Sequence, residues 1–234
     1  MTLTPSGILG GGLAGVFDTL RAVRHPRPIH PHGIALSGSL RWLTDRGTSG
    51  LDFIDHPHTS ELPLTGRVSR SIGVPAPLPD VIGLALRFET TTGPADVLLA
   101  STGFGVPSRF WLAAHRSPSR ARLTTLMPLK TAEGPLLLAA RTLEPENLPT
   151  DPGELAAALT ETTWRLTLYH AQPLSQWHPF AVVELWREPG AVDTNERYDP
   201  VRHPLPGTST YPWERRLREP SYLRVQRREQ RNQK

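Results

Sequence analysis

The residues with the clearest capacity for chemistry in this 234-residue chain are histidines, arginines and tyrosines, because the sequence has no cysteine. The lack of cysteine excludes a thiol nucleophile, a disulfide and a Cys-ligated metal. Histidines gather early in the chain, at His25, His30, His32, His56 and His58. His56 and His58 form an HxH pattern with Glu61 nearby, which suggests a metal bound by protein side chains as one hypothesis. Prolines between these residues indicate loops, so surface histidines are the other interpretation.

Near the C-terminus, Arg218 and Tyr222 stand four residues apart. On a helix, this spacing places both side chains on one face. A phenol has a pKa near ~10, and a neighbouring guanidinium, which stays charged, favours the phenolate. An arginine and a tyrosine at this spacing occur by chance in many proteins, and a surface tyrosine beside a solvated arginine is the simplest interpretation of the pair alone.

The elements that must position these residues are mostly strands. The chain has 25 prolines and 19 glycines, which indicates many turns and disfavours a helical bundle. Apolar residues alternate from Gly33 to Trp42, with a predicted interruption at 37–39. The other predicted strands are Gly66–Ser71, Ile82–Glu89, Asp96–Ala100, Leu136–Arg141, Arg165–Ala171 and Phe180–Arg187.

Helical patterns are weaker and lie between or outside the strands. They are predicted at Val16–Arg24, Pro118–Leu126, Gly153–Thr163 and Trp213–Gln233. The pattern favours an α+β protein with an antiparallel β-barrel core and flanking helices. We expect one domain over 1–234, with an N-terminal arm and helix at 1–26 and a helix with a basic tail at 213–234.

Several classes of function are disfavoured. The net charge of +4 is too small for a dedicated nucleic-acid binder. No apolar run is long enough for a membrane span, and no basic segment begins a signal peptide, so a cytoplasmic location is expected. A GxGxxG pattern at Gly10, Gly12 and Gly15 lacks the strand before it and the acid after it that a dinucleotide site needs, which favours a flexible arm.

Fragments spread along the chain resemble those of haem catalases. Residues 27–33 read RPIHPHG, similar to the family's R-x-V-H-A-R-G, and residues 67–69 read RVS, similar to R-F-S. Residues 80–88 read DVIGLALRF, close to the family's D-x-R-G-F-A-x-K-F. Residues 198–207 read YDPVRHPLPG, similar to the family's F-D-P…P-G. Residues 218–222 match R-x-x-x-Y. The order along the chain indicates a small relative that keeps the barrel and lacks the C-terminal helical domain.

The resemblance implies a haem b protein. It implies catalytic roles for His30, Ser69 and Arg218, haem-binding roles for Arg27, Arg67, Arg218, Tyr222 and Arg228, and an iron–Tyr222 bond. His30 would move protons on bound peroxide, and Ser69 would orient its ring. Arg27 and Arg67 would bind propionates, and Arg228 would replace an arginine that the family has where this chain has Glu229.

One departure bears on the reaction. Catalases carry an asparagine in a D-L-V-G-N-N-like run, whereas residues 96–102 here read DVLLAST, which offers only the hydroxyls of Ser101 and Thr102. The expected activity is therefore peroxidase-like, with weak catalase activity, using hydrogen peroxide or an organic hydroperoxide and an unknown organic reductant. Hydroperoxide rearrangement, as in allene oxide synthases, and a non-enzymatic barrel that binds haem or an apolar ligand are the alternatives. Homo-oligomerisation stays open.

Overall fold

The computed structural model describes residues 33–188, 190, 192–194 and 196–211. The predicted N-terminal arm and helix (1–26) lie outside the described residues, as does the predicted helix with its basic tail (213–234).

Strands dominate the described chain. They are β1 (Gly33–Trp42), β2 (Glu61–Arg70), β3 (Asp80–Thr90), β4 (Gly93–Thr102), β5 (Ala114–His115), β6 (Arg122–Thr124), β7 (Leu129–Thr131), β8 (Gly134–Glu144), β9 (Trp164–Ala171) and β10 (His178–Trp186). The helices are α1 (Asp52–Asp55), α2 (Pro152–Glu161) and two short 3-10 helices at Ser108–Phe110 and Pro118–Arg120. Within these described ranges, no helix has the length and apolar content needed to cross a membrane.

Eight strands close into an antiparallel barrel in the order β1, β2, β3, β4, β6, β8, β9 and β10, and β10 pairs with β1 again. Strand β5 adds to the start of β3, and β7 pairs with β8 outside the ring. This architecture confirms the predicted antiparallel barrel with few flanking helices. Each of the eight ring strands has a partner on both sides, although β6 pairs with β4 only over the last three residues of β4, 100–102.

The barrel interior is filled by apolar side chains at every second strand position. On β1, for example, Ile34, Leu36 and Leu40 are buried, whereas Ala35, Ser37 and Ser39 are partly covered and Arg41 is exposed. The same alternation on the other strands builds one continuous leucine-rich core that includes Phe88, Trp164 and Phe180. Because side chains alternate across a strand, the remaining positions form the outer face of the barrel.

The predicted interruption of the first strand at 37–39 is wrong, because β1 runs unbroken through these residues. Gly38 lies in the barrel interior, where a Cβ atom would come 2.3 Å from the carbonyl oxygen of Glu184 on β10. This glycine permits a close approach between neighbouring strands and does not mark a turn.

The predicted helix at Pro118–Leu126 is also wrong. One turn of 3-10 helix covers Pro118–Arg120, and then the chain becomes β6. Leu123 pairs with Ser101 of β4 on one side and with Ala140 of β8 on the other. Barrel closure needs a strand between β4 and β8, and this tertiary pairing overrides a weak local helical signal.

The helix predicted at Gly153–Thr163 is confirmed as α2. Asp151 caps its N-terminus, since one carboxylate oxygen accepts the N–H groups of Gly153 and Glu154. Pro152 follows in the first turn, where its missing N–H costs no helical hydrogen bond. The helix buries Leu155 and Leu159 against the barrel.

Candidate functional site

The outer face of β1 to β4 carries small residues in register. One row across the four strands is Gly33, Ser69, Gly83 and Ala100, and the next is Ala35, Arg67, Ala85 and Leu98. The term small-residue face is used below for Gly33, Ala35, Ser69, Gly83, Ala85 and Ala100.

The small-residue face is flat because its side chains project little from the sheet. Four neighbouring strands span about 14 Å at ordinary spacing. Leu98, at the border, keeps 38% of its surface exposed. A flat, weakly polar floor of this width suits a planar, largely apolar ligand, since glycine and alanine let the ligand approach the backbone closely.

Among the described residues, the apolar core fills the barrel interior. A cavity of about 20 Å³ lies where the barrel meets α2, lined in part by Ile34, Ser69, Arg70 and Leu155. That volume holds about one water molecule. A large ligand would therefore have to lie outside the barrel, where Gly33 and Ser69 are themselves covered by other parts of the chain.

A charged corner lies at Arg67, which stands between Ala35 and Ala85 in the second row and extends its guanidinium over Gly33. The Nε and Nη2 atoms of Arg67 donate to the two carboxylate oxygens of Asp193 at 2.7 and 2.8 Å. The backbone N–H of Gly33 donates to the same carboxylate at 2.8 Å. These hydrogen bonds, with that from Arg67 foremost, lower the pKa of Asp193 to about 2. Arg67 therefore binds the Asp193 carboxylate in the planar, bidentate geometry that arginine favours.

Ser69 lies beside this corner on the same strand. It is 9% exposed and directly opposite Gly33, which follows His30 by three residues in the chain. Ser69 and Arg67 are the predicted site residues that the structure describes, and it brings them onto one face. The other predicted site residues, Arg27, His30, Arg218, Tyr222 and Arg228, lie outside the described residues.

A second charged group, on β3 and β4, anchors the chain that follows β10. Arg87 donates from Nε and Nη2 to both oxygens of the Asp96 carboxylate, at 2.7 and 2.8 Å. The N–H of Asp199 donates to Asp96 at 2.6 Å, and Nδ1 of His203 lies 3.1 Å from it. The N–H of Asp96 in turn donates to the carbonyl oxygen of His203 at 2.7 Å. Residues 199–203 are thus fixed to the outer face of the barrel.

Asp96 is fully buried yet ionised. Burial opposes its charge, but the hydrogen bonds from Arg87, from the N–H of Asp199 and from His203 outweigh that effect and lower its pKa. Beside it, burial raises the pKa of Tyr198 to about 12, so that this phenol stays protonated. The Arg87 guanidinium lies 5.2 Å from the centre of the Tyr198 ring.

The hydroxyls of Ser101 and Thr102, the candidates to replace the asparagine of catalases, both form hydrogen bonds within the fold. The buried Ser101 Oγ accepts the N–H of Ile82 and donates to the carbonyl oxygen of Ala113, at 2.9 and 2.6 Å. The buried Thr102 hydroxyl donates to the carbonyl oxygen of Gly103 and lies 3.1 Å from that of Thr124. Both hydroxyls are therefore buried and hydrogen-bonded within the chain.

The histidine-rich loop offers no metal centre in the part of the chain that the structure describes. His56 is exposed and pairs with Asp52 at 3.1 Å. Among the residues described, no group of three or more histidine or carboxylate side chains is arranged to hold a metal ion.

Sequence reasoning missed Asp193, Arg87 and Asp96 as parts of this region. Arg87 and Asp96 both lie in segments that resemble catalases. They also lie on two consecutive predicted strands, and the pairing of those strands was the signal that could have indicated their contact. Asp193 carried no such signal, because it lies outside every predicted element and meets Arg67 only in the folded chain.

No family model and no curated protein matches the sequence. Solved structures do match its fold. A bacterial catalase aligns with 93% of the chain at a TM-score of 0.54 and 16% identity, and a fungal catalase with 86% at 0.59 and 12%. Catalase A from Saccharomyces cerevisiae aligns with 94% of the chain at 0.62 and 11% identity.

The alignments cover 59%, 58% and 63% of those three catalases, so the chain spans about three fifths of their length. At these identities the likeness establishes architecture and not activity. The chain therefore has the barrel fold that catalases share.

Proposed function

We propose that the chain binds haem b on the small-residue face and uses hydrogen peroxide or an organic hydroperoxide to oxidise an organic reductant. The observation that carries this proposal is the flat floor of Gly33, Ser69, Gly83 and Ala100 in one row across four strands, with Arg67 in the adjacent row. The described residues fit a planar dicarboxylate, because they combine a floor without bulky side chains with an arginine already arranged for a carboxylate.

The chain at both ends of the described region supports the same proposal. His30 precedes Gly33 by three residues, a stretch that reaches at most about 11 Å. Tyr222 follows the anchored residues 199–203 along the chain. The barrel thus places Gly33, which follows His30 by three residues, and residues 199–203, which precede Tyr222, on one outer face.

Bound haem would supply the iron on which peroxide chemistry depends. Tyr222 would hold the iron through its phenolate oxygen, an anionic ligand that favours the ferric state. Arg218, one helical turn earlier in the predicted helix, donates a hydrogen bond to that oxygen and keeps it unprotonated.

His30 is the proposed proton carrier. A ring nitrogen of His30 would take a proton from the peroxide or hydroperoxide and return it to the oxygen that leaves as water or alcohol. An imidazole suits both steps, since its ordinary pKa lies near neutral pH. Ser69 is a positioning residue in this proposal, because its hydroxyl would fix the orientation of the His30 ring.

A peroxidase-like reaction is favoured over efficient catalase turnover. Dismutation needs a second peroxide held near the first, and the buried hydroxyls of Ser101 and Thr102 are already used by the backbone. Oxidation of an organic reductant does not need that second peroxide site.

The test is peroxide turnover by the haem-loaded protein with a dye as reductant. We expect His30→Ala to retain haem and to slow turnover by about 10²–10⁴-fold. His56→Ala, which removes an exposed histidine, is the matched control and should react at the full rate. Full activity in His30→Ala refutes the assigned role.

The same preparation separates the other chemistries. A fatty-acid hydroperoxide converted to an allene oxide without consumption of the dye indicates rearrangement. Haem binding with no reaction toward either peroxide indicates a non-enzymatic haem-binding barrel.

A further inference from the structure

The partner of Arg67 in this structure is a carboxylate of the same chain. The donors belong to the barrel itself, since Gly33 begins β1 and Arg67 lies on β2. The acceptor, Asp193, lies beyond the end of β10, on the connection that leads to residues 199–203. The donors Gly33 and Arg67 thus belong to barrel strands, whereas the acceptor Asp193 belongs to the connection that follows the last strand.

The geometry of this corner is built for a carboxylate. Both oxygens of Asp193 are bound by Arg67, and Gly33 adds a backbone N–H to one of them. A Cβ at residue 33 would lie 2.3 Å from Cζ of Arg67, so a side chain there would displace the guanidinium from its present position.

We infer that Arg67 and the N–H of Gly33 form a carboxylate-binding site in which Asp193 is the resident carboxylate, and that Asp193 competes with the carboxylate of any planar ligand on the small-residue face. This inference rests on the proposed function for the identity of the ligand. The site itself needs only a planar, carboxylate-bearing molecule and no iron.

Exchange of one carboxylate for another is physically accessible here. The side chains of Arg67 and Asp193 keep 17% and 34% of their surface exposed, so solvent reaches the pair. The same exposure lets a carboxylate from solution approach the guanidinium. The bidentate geometry makes Asp193 a strong competitor for this site.

The competition is measured with protoporphyrin IX, which has two carboxylates and no iron, by quenching of tryptophan fluorescence. We expect Asp193→Asn to bind this probe about 10-fold more tightly than the unmodified chain, since a charge-assisted competitor has been removed. Asp193→Glu keeps a carboxylate and should stay close to the unmodified affinity. The dimethyl ester of the probe should be insensitive to both changes.

Glu196→Gln is the matched control. It removes one negative charge from the same connection, where Glu196 lies 4.0 Å from Arg87, and it leaves the Arg67 corner intact. We expect no gain in affinity from it. An equal gain in Glu196→Gln and Asp193→Asn would show a general effect of charge and overturn the inference.

Two further results also overturn it: an affinity of Asp193→Asn no higher than that of the unmodified chain, or no binding of the probe by any variant. Thermal melting reports whether Asp193→Asn is folded. If it is not, Asp193→Ser takes its place, and loss of folding in both means that the pair is structural, which contradicts the inference. Because the probe has no iron, a gain that persists in Tyr222→Phe supports the inference even if the proposed function fails.

Discussion

Replacing Asp96 by asparagine should strongly destabilise the barrel. The carboxylate of Asp96 is fully buried, and it accepts two hydrogen bonds from Arg87 and one from the N–H of Asp199. Asparagine has nearly the same shape but lacks the charge, and its amide group presents N–H to a site filled with donors. Arg87, which is 14% exposed, would lose its principal counter-charge.

The magnitude follows from the burial of the pair. Removing one partner of a buried ion pair costs about 3–5 kcal/mol. The slight exposure of Arg87 and the presence of Glu196 at 4.0 Å place this pair near the lower limit, so about 3 kcal/mol is expected. For a chain of this size, that loss lowers the melting temperature by roughly 6–12 °C.

The assay is urea denaturation followed by tryptophan fluorescence, with thermal melting as a second measure. Asp52→Asn is the matched control, because its side chain is 91% exposed, and its melting temperature should not change. A double-mutant cycle with Arg87→Met should give a coupling free energy of at least about 1 kcal/mol. A loss below about 1 kcal/mol in Asp96→Asn, or no coupling to Arg87, would refute the anchoring role of this group.

Three further predictions concern other parts of the molecule. Burial lowers the pKa of His170, whose ring contacts the carbonyl oxygen of Arg46 and lies near His178 and Asp55. The contribution of His170 to stability is therefore complete above its unfolded pKa of about 6.5 and is lost as the pH falls below that value. The urea midpoint should decline less between pH 8 and pH 5 in His170→Gln than in the unmodified chain. Gly38→Ala should destabilise by about 1–3 kcal/mol in the same assay, because its Cβ meets a backbone oxygen at 2.3 Å, whereas Gly105→Ala, with its nearest contact at 3.8 Å, should not. Ala85→Leu should reduce haemin affinity at least ~10-fold, because the larger side chain projects from the small-residue face. Its melting temperature should not change. Unchanged haemin affinity would contradict the proposed position of the ligand.

The long barrel strands could be predicted from the sequence because one face of each is buried in a leucine-rich core. Alternation of apolar residues then identifies the strand without knowledge of its neighbours, as at Ile82–Glu89 within β3. Strand β6 could not be predicted in this way. Its three residues are too few to show a period, and they are extended because β4 and β8 pair with them on either side.

The candidate site was predictable only in part, for a similar reason. Arg67 and Ser69 alternate on one strand, so their shared face follows from the sequence. The flatness of the small-residue face depends on the register of four strands, which a single sequence does not specify. The contact between Arg67 and Asp193 joins residues 126 positions apart, and no local pattern indicates it.

The most direct test of the central claim is an absorption spectrum of the full chain after addition of haemin. The proposed function predicts a Soret band with the ferric high-spin bands of a phenolate-ligated haem, and the loss of those bands in Tyr222→Phe but not in Tyr211→Phe. A spectrum identical to that of free haemin, or one that Tyr222→Phe leaves unchanged, would contradict the account.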